Sequence, residues 1–192
     1  MARPRLVSSL LALLLAAASA LSAQQVPRKA GEFVIGMPGG KQLLLSGYRG
    51  KVVVLAAILT TCPHCQHTVQ LLGALQNELG PRGLQVLACA VQEAPELAVP
   101  LFVKTYNPPF PVGFNADANA VLGFYQYDRN HLPHMPILAF IDRQGTIRAQ
   151  HEGAEETFFG DPQQAQNLRT QIAALLKERA PGRTAAKKTG SR

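Results

Sequence analysis

Tryptophan is absent from this 192-residue chain, and only three residues are cysteine. Three cysteines are too few for a disulfide scaffold or a four-cysteine zinc site. Charged residues make up only 16% of the chain and hydrophobic ones 47%, which excludes an ordinary disordered protein. After residue 23 no apolar run is long enough to span a bilayer. No second CxxC, no HxxxH and no internal repeat occurs. The excess positive charge, formally +7, is also missing from the middle of the chain. Residues 1–23 carry Arg3 and Arg5 with no acid. Residues 177–192 carry six basic residues against Glu178, and residues 24–176 balance at eleven of each sign. A nucleic-acid-binding core is therefore not expected.

What is present begins with a secretory signal pattern. Arg3 and Arg5 precede the largely apolar run from Leu6 to Ala18, and Ala18-Ser19-Ala20 offers small residues for cleavage, with Ala23 a second candidate. The run is shorter than the ~20 residues of a membrane span, and no cysteine stands there to take a lipid. The expected product is a soluble periplasmic or secreted chain, membrane-attached only if this segment stays uncleaved. The expected divisions are a signal peptide over 1–23, a polar lead-in over 24–30, one domain over 31–178 and a basic disordered tail over 179–192.

Within the domain, Phe33 to Ile35 and Leu43 to Leu45 read as short strands around a Pro-Gly-Gly turn. Lys51 opens the unbroken apolar run Val52 to Leu59, expected as a strand buried on both faces. Thr60-Thr61-Cys62-Pro63-His64-Cys65 follows at once. Pro63 suits the first position of a helix, and Val69, Leu71, Leu72, Leu75 and Leu79 continue on a helical face to Gly80-Pro81. A second buried strand is expected over Leu84–Val91. A helix over 93–106 follows, its start made ragged by Pro95 and Pro100. Then come a short strand at Val112–Phe114, a helix over 116–125, a polar loop to Met135, a hairpin over 137–151 and an amphipathic helix over 161–177. Alternating strands and helices with a closing hairpin predict an α/β sandwich, its central mixed sheet flanked by helices, with an N-terminal β-hairpin extension.

The chemistry concentrates at Cys62 and Cys65. Cysteines three apart share the first turn of a helix, close enough for their sulfurs to bond. The one nearer the N-terminus meets unsatisfied N–H groups and the positive end of the helix dipole. A thiolate is stabilised there, and the thiolate is the attacking form in disulfide exchange. Cys65 would resolve the mixed disulfide. Pro63 stiffens the turn, and His64 adds an imidazole that tunes the couple. Zinc would need further ligands that the spacing does not supply, so no metal or other cofactor is expected. Cys89 reads as a buried unreactive thiol, and His131, His134 and His151 as surface or loop histidines.

The chain resembles the thioredoxin-fold TlpA/ResA-like (AhpC/TSA-related) thiol–disulfide oxidoreductases. The resemblance is carried by Gly47-Tyr48-Arg49-Gly50-Lys51, by the strand entering Cys62-Pro63-His64-Cys65, by Phe110-Pro111-Val112 and by Pro136 six residues before Asp142. It implies a thioredoxin-like sandwich and a cis Met135–Pro136 peptide facing the cysteines, with the Met135 backbone docking an extended substrate. The implied partners are protein thiols and disulfides and a redox partner, and the expected state is a monomer. Two departures stand out. The family usually has tryptophan before the first cysteine, where this chain has Thr61. Many members have glutamate three residues after the second cysteine, where this chain has Thr68. The direction of electron flow is open. The alternatives are a copper-handling thioredoxin-fold protein, for which His134 would be the distant ligand, and a peroxiredoxin-like antioxidant. That last family has threonine three residues before its reactive cysteine, where this chain has Leu59.

Overall fold

The computed structural model describes residues 25–128, 130 and 132–178. The signal segment 1–23, Gln24, the whole basic tail 179–192, Arg129 and His131 lie outside them. One sheet organises the rest, in the order β1 (Arg28–Lys29), β8 (Thr146–Glu152), β7 (Ile137–Ile141), β4 (Val52–Ile58), β5 (Leu84–Ala90), β6 (Val112–Phe114), β2 (Val34–Gly36), β3 (Gln42–Leu44). Its centre is β4 (Val52–Ile58), parallel to β5 (Leu84–Ala90) and antiparallel to β7 (Ile137–Ile141). β6 (Val112–Phe114) extends the parallel part, and β8 (Thr146–Glu152) closes the expected hairpin with β7.

Every residue of β4 is buried because both faces are covered. Successive side chains of a strand point to opposite faces. Val52, Val54, Ala56 and Ile58 therefore enter one core, with α1 (Pro63–Leu79), α2 (Pro95–Tyr106), α4 (Glu156–Phe159) and α5 (Gln163–Lys177). Val53, Leu55 and Ala57 enter the other, with α3 (Ala118–Tyr125) and the N-terminal segment. A two-sided strand needs no alternation, which is why the sequence shows a continuous apolar run. Each fully buried aliphatic side chain contributes about 1.5–3 kcal/mol.

The hairpin of β2 (Val34–Gly36) and β3 (Gln42–Leu44) forms as expected and joins the sheet by pairing Gly36 with Phe114. The polar lead-in differs from expectation, since Arg28–Lys29 form β1 on the opposite edge, paired with β8. The Arg28 guanidinium fixes that strand, donating to the Phe124 carbonyl (3.0 Å) and to Gln150 Oε1 (2.7 Å). Pro100 does not blur the start of its helix. Pro95 takes the first helical position and Pro100 lies inside α2 on the solvent side. The short helix α4 was not expected, and α5 starts at Gln163 rather than 161. Among the described residues no helix is long and apolar enough to cross a membrane.

Candidate active site

β4 delivers the chain to the cysteine pair. Beyond Ile58, the Cys62 N–H donates to the Leu59 carbonyl (3.2 Å), and the Cys62 carbonyl accepts from Gln66 N–H (3.0 Å). Cys62 is thus the extended N-cap of α1, Pro63 its first helical residue, and Cys65 lies within its first turn. Gln92 Oε1 accepts from Thr60 N–H (2.6 Å) and Gln66 Nε2 donates to the Thr60 carbonyl (2.9 Å), so the turn is held from both sides.

The two sulfurs sit in different surroundings. Cys62 is half-buried, Cys65 fully buried, and both are free thiols. Burial drives the Cys65 thiol far above its ordinary range. The Leu59 N–H, donating to its sulfur at 3.4 Å, opposes that rise, and a hydrogen bond with the Cys62 sulfur adds to it. Both cysteines thus belong to the start of α1, one reachable from solvent and one enclosed.

The Met135–Pro136 peptide is cis, as the resemblance implied. Ile137, directly after it, pairs with Ala57 near the C-terminal end of β4. That register brings Met135 and Pro136 to the sheet end where Cys62 emerges, and Met135 and Cys62 pack against the same core. Gly153 closes this region from behind. Its N–H donates to the His134 carbonyl (2.9 Å), and a Cβ there would run into the Met135 carbonyl.

His64 is exposed, and its ring makes no hydrogen bond among the described residues; it lines a groove of about 270 Å³ beside α1. Thr68 is fully buried. Its hydroxyl donates to the His64 carbonyl (2.8 Å) and accepts from Gln164 Nε2 (2.7 Å). Gln164 and the Thr60–Gln92 contact were missed in the sequence. The available signal was a polar residue in register with the apolar stripe Leu168, Ile172 and Leu175. Cys89 is fully buried, and burial pushes its thiol up to about 12.

His151 corrects the surface reading. It is half-buried on β8, stacks on Phe158 (centroids 3.8 Å apart, 9° between planes) and bonds Glu155 Oε2 through Nδ1 at 2.7 Å. His134 is exposed in the loop before Met135, and His131 lies outside the described residues. Among the described residues no three His, Cys, Asp or Glu side chains converge to hold a metal ion. The copper-handling alternative has no such cluster to stand on there.

The Redoxin family model matches residues 25–168. The chain belongs to the Redoxin family. It is 28% identical over 123 residues to a thiol-disulfide oxidoreductase ResA of Bacillus cereus, covering 64% of this chain and 67% of that one. It is also 28% identical over 127 residues to ResA of Geobacillus kaustophilus, covering 66% and 69%. A Chlorobium tepidum crystal structure, assigned as a thiol:disulfide interchange protein DsbE, superposes with a TM-score of 0.67 at 25% identity, over 80% of this chain and 99% of that one. The thioredoxin-like architecture of this Redoxin chain is thus the one its structural relatives share.

Proposed function

We propose that this chain is an exported thiol–disulfide oxidoreductase that exchanges disulfides with protein thiols through Cys62 and Cys65. The observation that carries the reading is the placement of a half-buried Cys62 at the N-cap of α1 and an enclosed Cys65 three residues on, within the first turn of the same helix. In the reducing direction the Cys62 thiolate attacks one sulfur of a substrate disulfide. The S–S electron pair leaves on the other substrate sulfur, which takes up a proton. Cys65 then gives its proton to solvent and attacks Cys62, forming the Cys62–Cys65 disulfide and expelling the second substrate thiolate. Two electrons pass to the substrate. The reverse sequence oxidises a dithiol, and the potential of the couple against its partner sets the direction.

The Met135 backbone is the substrate-docking element in this reading, and Pro136 fixes its orientation. Residues 1–23 direct export into an oxidising space, where a redox partner resets the pair. The decisive experiment is exchange with a model protein disulfide. Cys62→Ser abolishes it, and Cys65→Ser accumulates a mixed disulfide through Cys62. Undiminished exchange by Cys62→Ser would remove Cys62 from the mechanism.

A further inference from the structure

The groove beside the cysteine pair carries a chemistry of its own. It runs from Pro63 and His64 on α1 across to Gly153, which lies against the Met135–Pro136 peptide. It therefore adjoins both parts of the proposed exchange site. Gly153, Gly160 and the largely buried Phe159 complete its lining.

Acceptors dominate the lining. The Glu156 carboxylate forms no ion pair among the described residues, and Asp161 meets only His67, at 3.6 Å. Gln164 is 3% exposed; its amide nitrogen is committed to Thr68, while its carbonyl oxygen accepts no hydrogen bond among the described residues. No lysine or arginine lines the groove. The N-termini of α1 and α5 face it as well, each equivalent to about half a positive charge. At α5 the Gln163 and Gln164 amides already donate to the Gly160 carbonyl (3.0 and 3.1 Å). Two full carboxylate charges outweigh two half charges, so with the histidines neutral the groove is net negative.

We propose that this groove selects substrates with a cationic side chain, arginine or lysine, beside the reacting cysteine. The inference rests on the oxidoreductase reading and adds the class of substrate. The bound cation meets Glu156 and Asp161 at the rim and donates to the Gln164 oxygen.

The test uses short peptides with one cysteine, presented as the mixed disulfide with thionitrobenzoate and flanked in turn by Arg, Gln, Leu or Glu. The reduced protein attacks the peptide sulfur, releases the coloured thiolate, and Cys65 then frees the peptide. At low salt the Arg peptide is expected to show a kcat/KM on the order of fivefold above the Glu peptide, the size of a partly exposed ion pair. The double variant Glu156→Lys, Asp161→Asn reverses that order. Equal rates for Arg and Glu at every flanking position would overturn the proposal, and so would a Leu peptide faster than both. A second arm needs no exchange. Peptides with serine for cysteine are titrated into the protein, and the amide resonances of Gly153 and Gly160 shift with the Arg peptide but not with the Glu peptide. If the wild-type protein also fails to reduce bis(2-hydroxyethyl) disulfide, the oxidoreductase reading fails, while the titration still decides the groove.

Discussion

Gln164 donates its side-chain amide to the Thr68 hydroxyl at 2.7 Å inside the core, one helical turn beyond Cys65. Two neutral polar groups thus satisfy each other in the core. The pair also ties α5 to the first turns of α1, because Thr68 passes the contact on to the His64 carbonyl.

That bond has a measurable size. Removing one buried partner leaves the other unsatisfied, at a cost of about 1–3 kcal/mol. Thr68→Val and Gln164→Leu are each expected to lower stability by that amount in urea unfolding. The double variant should fall short of the sum by about 0.5–3 kcal/mol, as contacting residues do. Strict additivity would mean that the bond contributes nothing.

Gly153 tests the contact behind Met135. A Cβ at this position overlaps the Met135 carbonyl, so Gly153→Ala must push the end of β8 away from the Met135 backbone. Misplacement near a reacting centre by about 1 Å costs up to 10²-fold in rate. The expected outcome is a loss of roughly tenfold in kcat/KM with peptide disulfides, larger than the loss with a small disulfide. Equal losses on both would show that Met135 does not dock the peptide.

Cys89 gives a pH signature. Its folded thiol is held at about 12 by burial, above the ordinary 9.0. The unfolded chain therefore loses this proton first as pH rises, and the stabilisation is complete below pH 9.0 and fades between 9.0 and about 12. One such proton corresponds to about 1.4 kcal/mol per pH unit. Unfolding measured from pH 8 to pH 11 should show a shallower decline for Cys89→Ala than for the wild type by roughly that slope. Parallel curves would mean that Cys89 ionises alike in both states.

His64→Pro addresses the redox couple. His64 stands between the two cysteines on the first turn of α1, and proline there removes its imidazole from the pair's surroundings. The Cys62–Cys65 potential should drop on the order of 30 mV, a tenfold change in the exchange equilibrium. An unchanged potential would show that the ring does not act on the sulfurs.

Much of this protein is legible from its residues in order. Val52 to Ile58 announces a two-faced central strand because nothing polar interrupts it, and Cys62-Pro63-His64-Cys65 at its exit announces a thiol pair at a helix start. These are local signals, carried by periodicity and by the chemistry of adjacent side chains. The tertiary structure alone decided that Arg28–Lys29 become an edge strand, because two polar residues show no pattern until β8 offers its free edge. It alone turned His151 inward onto Phe158, and it alone brought Gly153 against Met135 and Gln164 onto Thr68, 96 residues away. Each of these is a contact between segments distant in the chain. The energy of such a contact depends on the approach of a second surface, which no local stretch of sequence encodes.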